Sequence, residues 1–330
     1  MEFKYASKFF TGFDLCHDKA EVHRHLMPFE MINNDFSLVD GRSGGKALSL
    51  SNSGFVGFTS YTSSHNVRYG MAVRIKSNVN VVLFGVDFTQ DTETKLTSSE
   101  QLFDKPSYDA LCIENGYLCF KTRRFSAEVK TTQLRQFPLN TWEYIELRYS
   151  SYSTTKIFWY GQEIYNRSIS PASSSKAMMY IASFAEIEID DFYFELVSST
   201  PNDDPYGSVK VASLPFDTAD SNTFQVVGGS DVISAISDDD DLTAIVGDPG
   251  NECTLNKNTS QMEIYGVNFF VRGKSEGGAG FLKAELETLP TSGFKKIGDI
   301  PLHDELRGHL VRDVTIAKNP TQISLKLQVE

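Results

Sequence analysis

The residues best placed for covalent chemistry are Glu186, Glu188 and Asp190, in the run Glu186-Ile187-Glu188-Ile189-Asp190. On a β-strand, residues two apart share a face. Three carboxyls on one face are the raw material of glycoside hydrolysis, which needs one acid for the leaving oxygen and one carboxylate as base or nucleophile. The run is not E-x-D-x-x-E, a spacing that glycoside hydrolases use, and no partner motif follows it. The strand face opposite Ile187 and Ile189 is expected to be polar in any case. Catalysis is therefore not the expectation, and no catalytic residue and no cofactor is assigned.

Asp190 and Asp191 are also candidate calcium ligands, because calcium gathers several carboxylate and carbonyl oxygens. Their neighbours favour another role. Ile187 and Ile189 lie in one alternation phase, Phe192 and Phe194 in the other, and a β-bulge makes that shift. A bulge is expected here and no metal is assigned. Asp238 to Asp241 lack the glycine and glutamate spacing of a calcium loop and read as a solvated turn. His17, His23 and His25 do not have the spacing of a zinc motif, and His303 and His309 lack an acidic or cysteine frame. No G-x-S-x-G nucleophile turn occurs. Tyr152, Trp159, Tyr160 and Tyr165 are candidate sugar platforms, but a hydrophobic core buries many such residues, so no glycan site is singled out.

The elements that must carry these residues are strands. MAVRIK (71–76), VNVVLFGV (79–86), YIELRY (144–149), TKIFWY (155–160), IEIDDFYFEL (187–196), SVKVASL (208–214), MEIYGVNFFV (262–271) and ISLKLQV (323–329) alternate or run apolar. Ser, Asn, Gly and Asp clusters separate them, which predicts an all-β sandwich. Short helices are expected at Asp18–Met27, at Ser98–Phe103 and at His303–Leu310. Asn115-Gly116 suits a two-residue type I′ turn. That turn pairs Glu114 with Tyr117, Ile113 with Leu118 and Cys112 with Cys119. Cys112 and Cys119 then form a hydrogen-bonded pair poorly shaped for a disulfide. All four cysteines are expected to be reduced. Gly161-Gln162 is expected to turn a second hairpin.

The 330 residues allow two domains. Ser198–Gly207, with two prolines and two aspartates, reads as a linker region. The division is a sandwich over 1–198, a linker over 199–206 and a smaller β domain over 207–330. The formal net charge is −12, and residues 201–330 hold 11 Lys/Arg against 20 Asp/Glu. So acidic a chain disfavours nucleic acid and anionic membrane as partners. No apolar run is long enough to span a bilayer, and the start lacks a secretory pattern, so synthesis in a cytoplasm is expected.

Four segments of the first domain resemble the laminin-G/concanavalin A-like jelly roll. They are GRSGGKALSL (41–50), Trp142 opening WEYIELRY, KIFWYGQEIYN, and FAEIEIDDFYFEL with Asp190-Asp191. With an opening GFD (12–14), and with Gly207-Ser208-Val209-Lys210-Val211-Ala212-Ser213-Leu214-Pro215, DDDDLTAIVGDPG (238–250) and YGVNFFVRGK (265–274) following, the order resembles a family of bacteriophage virion structural proteins. After about residue 290 the likeness ends. The resemblance implies a tail or neck/collar subunit on a virion made in the host cytoplasm, acting through other virion proteins in a symmetric multi-copy assembly. Adhesion to host-surface glycan and capsid decoration are the alternatives.

Overall fold

The computed structural model describes residues 8–14, 16, 18–26, 29–33, 35–60, 65–78, 80–89, 96, 98–125, 127–150, 154–168, 176–198, 205–237, 242–277, 280–288, 293–314 and 320–330. The chain divides into two units, Met1–Ala212 and Ser213–Glu330. The first unit runs β1 (Lys8–Thr11), α1 (Lys19–Leu26), β2 (Glu30–Met31), β3 (Phe36–Asp40), β4 (Lys46–Ser60), β5 (His65–Ile75), β6 (Val81–Asp87) and α2 (Ser99–Asp104). It continues with β7 (Tyr108–Glu114), β8 (Tyr117–Arg123), β9 (Lys130–Gln136), β10 (Glu143–Ser150), β11 (Thr154–Trp159), β12 (Gln162–Ser168) and β13 (Lys176–Ser198).

The strand pairings of the described residues are antiparallel, and the main order is β12-β11-β10-β5-β13-β6-β7-β8-β9, with β4 also on β13. The 23-residue β13 is the hinge of this order. Its first part pairs with β6 and its second part with β5. The ladder folds over on itself there. β8 and β12 stand near opposite ends of the order, yet the Phe120 and Tyr165 rings are 5.4 Å apart. Aromatic and branched side chains from both halves, such as Phe84, Leu118, Ile145, Tyr149, Ile189 and Phe192, form one buried core. The result is the expected jelly-roll sandwich.

Local chemistry explains the details. The hairpin at Asn115-Gly116 has both residues at positive φ, 52° and 78°, and the register pairs Cys112 with Cys119. Leu111, Ile113, Leu118 and Phe120 join the core, as alternation requires. Cys16, Cys112, Cys119 and Cys253 are all free and buried. Burial pushes the thiols of Cys16 and Cys112 up to about 12. α1 and α2 fall where expected, and Ser98 caps α2 by accepting from the Gln101 amide.

The second unit contains β14 (Thr218–Asn222), β15 (Gln225–Val227), α3 (Val232–Ile236), β16 (Ala244–Val246), β17 (Glu252–Asn258), β18 (Val267–Gly273), β19 (Gly280–Glu287), β20 (Lys295–Leu302), β21 (Arg307–Val314) and β22 (Gln322–Val329). Five strands form the order β14-β17-β22-β19-β20, while β15-β16 and β18-β21 are two-stranded ribbons. Leu255, Leu282, Leu286, Ile323, Leu325 and Leu327 lie in its core.

Three expectations need correction. His303–Leu310 is not a helix: residues 307–314 pair with β18, and that ladder satisfies the backbone groups a helix would use. The second hairpin turns on Tyr160-Gly161, with Trp159 opposite Gln162. Both turn residues have positive φ, 49° and 75°, because the Tyr160 amide and hydroxyl are held by the Tyr144 and Trp142 carbonyls. Residues 208–214 join no ladder, and side chains of the sandwich satisfy part of their backbone instead. α3 was missed, although Asp231 and Ser234 form a capping box.

Asp109 supplies a test of the core. It is fully buried, takes two hydrogen bonds from Arg124 at 2.6 and 2.7 Å, and accepts from the Tyr149 hydroxyl at 2.6 Å. Arg124→Ala leaves that carboxylate uncompensated and is expected to lower first-unit stability by about 3–5 kcal/mol. Tyr149→Phe should cost only about 1 kcal/mol. Denaturant unfolding of both variants, followed by near-ultraviolet circular dichroism, checks the order; equal losses would contradict it.

Candidate functional site

β13 carries its two aspartates at the predicted bulge. The register to β5 slips between Asp190 and Tyr193, and Asp191 sits at φ 48°. The slip returns Phe192 and Phe194 to the same core as Ile187 and Ile189. It also turns both carboxylates toward the loop Gly41–Gly45. Asp190 Oδ2 accepts from the Arg42 amide at 2.8 Å, and Asp190 Oδ1 accepts from the Asp191 amide at 2.8 Å. Asp191 Oδ2 accepts from Arg42 Nη1 at 3.1 Å, while its Oδ1 accepts from the Val211 amide at 2.7 Å.

Arg42 is the centre of this arrangement. Besides Asp191, its guanidinium donates to Ser208 Oγ at 2.8 Å and to the Val209 carbonyl at 3.4 Å. It lies over the Tyr144 ring at 5.0 Å and near the Tyr160 ring at 5.9 Å. One cation thus ties the bulge, the segment 208–211 and two aromatic rings together. The fork of a guanidinium suits this; a lysine offers a single point charge.

The opening GFD closes the same site. Asp14 Oδ1 accepts from the Lys46 amide at 2.9 Å. Gly45 has φ 70°, and a Cβ there would lie 2.0 Å from Asp14 Oδ1, so a side chain would be strained and would push Asp14 off the Lys46 amide. A Cβ on Gly12 would meet the Val211 carbonyl at 2.8 Å. Segments from distant parts of the first unit meet here: GFD, GRSGG, Asp190-Asp191 and Gly207–Val211, with the Trp142 carbonyl reached through the Tyr160 hydroxyl.

A second group of carboxylates holds the residues just before. The Tyr206 hydroxyl donates to Glu195 at 2.7 Å, Glu195 pairs with Arg68 at 3.1 Å, and Arg68 lies 4.8 Å over the Tyr206 ring. Glu146 is fully buried and accepts from the Tyr193 hydroxyl at 2.8 Å. Burial raises its carboxyl to about 7, against the opposing pull of Tyr193 and the Gly207 and Tyr206 amides. Asp190 is also raised to about 7, by burial first and then by the charge of Asp191. The sequence boundary placed 207–212 with the second domain; these bonds group them with the first unit.

The other candidates are dispersed. Glu188 is buried and paired with Arg74 and Lys76, and Glu186 is exposed, so the three alternating carboxyls do not form an open acidic face. Trp159 is buried under Arg135, Tyr165 packs on the core, and Tyr160 is 46 % exposed at its turn. His23 stands edge-on to Phe36, and Thr11 Oγ1 meets His25 Nδ1 at 3.5 Å. His303 and His309 stack with centroids 6.1 Å apart. His17, Tyr152 and Asp238–Asp241 lie outside the described residues. Among the described residues, no three His, Cys, Asp or Glu side chains are grouped to hold a metal ion.

Two outcomes follow. Glu146 and Asp190 bind their protons more tightly in the folded chain than at their ordinary values of 4.5 and 3.8. Their contribution is therefore full below those values and is lost as pH rises through about 7. First-unit stability is expected to fall from about pH 5 to about pH 8, with a shallower fall in Glu146→Gln. Unfolding midpoints across that range check it, and identical slopes would count against it. Arg42→Ala should cost about 3–5 kcal/mol by stranding Asp191, and Arg42→Lys should restore only part.

No protein-family model and no curated protein sequence matches the chain. Similar solved structures include domain 4 of AbnA, a GH43 extracellular arabinanase from Geobacillus stearothermophilus, in complex with arabinotriose. It is 13% identical, with 58% of this chain and 93% of that chain covered and a TM-score of 0.41. A conserved carbohydrate esterase from the Shiga toxin-encoding bacteriophage phi24B is 12% identical over 58% of this chain and 98% of its own, with a TM-score of 0.37. The carbohydrate-binding module CBM66 from Bacillus subtilis is 13% identical over 52% and 93%, with a TM-score of 0.27. At these scores the likenesses carry no functional argument, and the all-β assignment rests on the chain's own strands.

Proposed function

We propose that the chain is a structural subunit of a tailed-bacteriophage particle, positioned at the tail or neck and acting by protein–protein contact. The observation that carries the reading is the convergence on Arg42. The residues that look most functional in the sequence are engaged in fixing where the chain leaves the sandwich. Asp191, Glu188 and Glu195 each hold a cationic side chain. That is the economy of a part that transmits contact, and the proposal includes no reaction. Repeated copies would follow the symmetry of the particle and would cover open strand edges.

A second reading is binding of host-surface glycan. Its specific support is Tyr160, an exposed ring held at a rigid two-residue turn. Capsid decoration is a variant of the structural role that differs only in location.

Quantitative mass spectrometry of purified particles tests the proposal, together with an image of the particle at a resolution that shows β-sandwiches. The expected result is a fixed, repeated copy number and matching density at tail or neck. Absence of the chain from infectious particles would overturn the proposal. Density on the capsid face would select decoration. Glycan-array binding by the full chain that Tyr160→Ala abolishes would favour adhesion.

A further inference from the structure

The ribbon β15-β16 has two unlike faces. Its register pairs Gln225 with Val246, Val226 with Ile245 and Val227 with Ala244. Val226 and Ile245 point inward and pack on the core of the second unit together with Ile233 and Ile236 of α3. The opposite face should be polar if it met only water. Instead it carries Val227, Ala244 and Val246 beside a single polar residue, Gln225, with Val227 43 % and Val246 53 % exposed. Leu242, in the turn two residues before β16, is 80 % exposed. The capping box of Asp231 and Ser234 starts α3 beside this ribbon. A two-stranded ribbon is weak by itself, and grouped exposed apolar residues mark contact surfaces.

Charge tells what kind of surface meets it. Between Lys210 and Lys257 the sequence has no Lys, Arg or His and nine Asp or Glu. This stretch contains β14, β15, α3 and β16. Among the described residues of this stretch, Asp217 and Glu252 pair with Lys257 and Lys326. By sequence the stretch is strongly acidic, since it supplies no basic residue of its own. A second copy would set two acidic segments against each other, at a cost in repulsion. A surface with Lys or Arg around an apolar centre gains on both counts.

We infer that the outward face of β15-β16, built from Val227, Ala244 and Val246 with the exposed Leu242 in the adjoining turn, docks a protein partner with an apolar centre ringed by Lys or Arg. The inference rests on the reading that the chain works by protein–protein contact, and it adds the face and the partner's chemistry.

The probe is a set of immobilised strand-forming peptides that alternate Leu or Val with Lys or Arg. One control set replaces Lys and Arg by Glu, and another replaces Leu and Val by Ser. The full chain is expected to be retained by the first set alone, less so as salt rises. Val227→Ser/Val246→Ser should reduce retention about tenfold or more. If that double variant does not keep the wild-type circular dichroism, Leu242→Ser alone serves, with the same expected direction. Equal retention on all sets, retention on none, or retention unchanged by the variants would overturn the inference. So would a dimer in analytical ultracentrifugation that Val227→Ser/Val246→Ser dissolves, since the occupant would then be a second copy. Particles that incorporate the double variant normally, with no peptide retained, would remove this inference and leave the particle role standing. Peptide retention by a chain absent from particles would do the reverse.

Discussion

A buried carboxylate at a bulge is the constraint on which the sandwich depends. Asp191 has almost no access to water and carries a backbone φ that side chains other than glycine rarely adopt. Neither condition is stable without partners. The ionised form is costly in that setting, and burial raises the carboxyl. Arg42 and the Val211 amide are the compensation. Because they come from 149 residues before and 20 residues after, meeting that local need ties together distant parts of the unit. The loop at Gly41–Gly45, the turn at Tyr160-Gly161 and the path of Tyr206–Val211 are all fixed by groups that Arg42 or its neighbours touch.

Much of this was legible in the chain, and physical reasons separate what was from what was not. The bulge showed as a phase slip between Ile189 and Phe192, because strand periodicity is two and one extra residue inverts it. The Asn115-Gly116 hairpin was legible because its turn type demands those residues. The second hairpin was misplaced by one residue, since Tyr160 accepts a positive φ only through tertiary bonds to Tyr144 and Trp142. Residues 208–214 alternate like a strand, but the Val209 carbonyl and the Val211 amide are bonded to side chains that sequence spacing cannot bring near. His303–Leu310 carries helix-compatible residues, and its pairing with β18 overrides them. The motifs of the site were each visible; their meeting was not, because it depends on the ladder of β13.

The same economy bears on function. Carboxyls grouped in sequence suggest catalysis until their partners are known. Here Glu188 is matched to Arg74 and Lys76, and Asp191 to Arg42. The first unit concentrates its charge on holding itself and its C-terminal segment. The second unit keeps an apolar ribbon face within a stretch free of basic residues. A proposed role in assembly unites the two, with rigidity in one unit and a contact surface in the other.

Amide hydrogen exchange at Val211, read residue by residue by NMR, measures the central interaction most directly. The Val211 N–H has a buried carboxylate as its acceptor and no strand ladder around it. Protection comparable to the β13 core is the expected result in the wild-type chain, with loss confined to the segment around residues 206–211 in Arg42→Ala. Exchange of Val211 at the rate of an unstructured peptide, with the sandwich intact, would contradict the account.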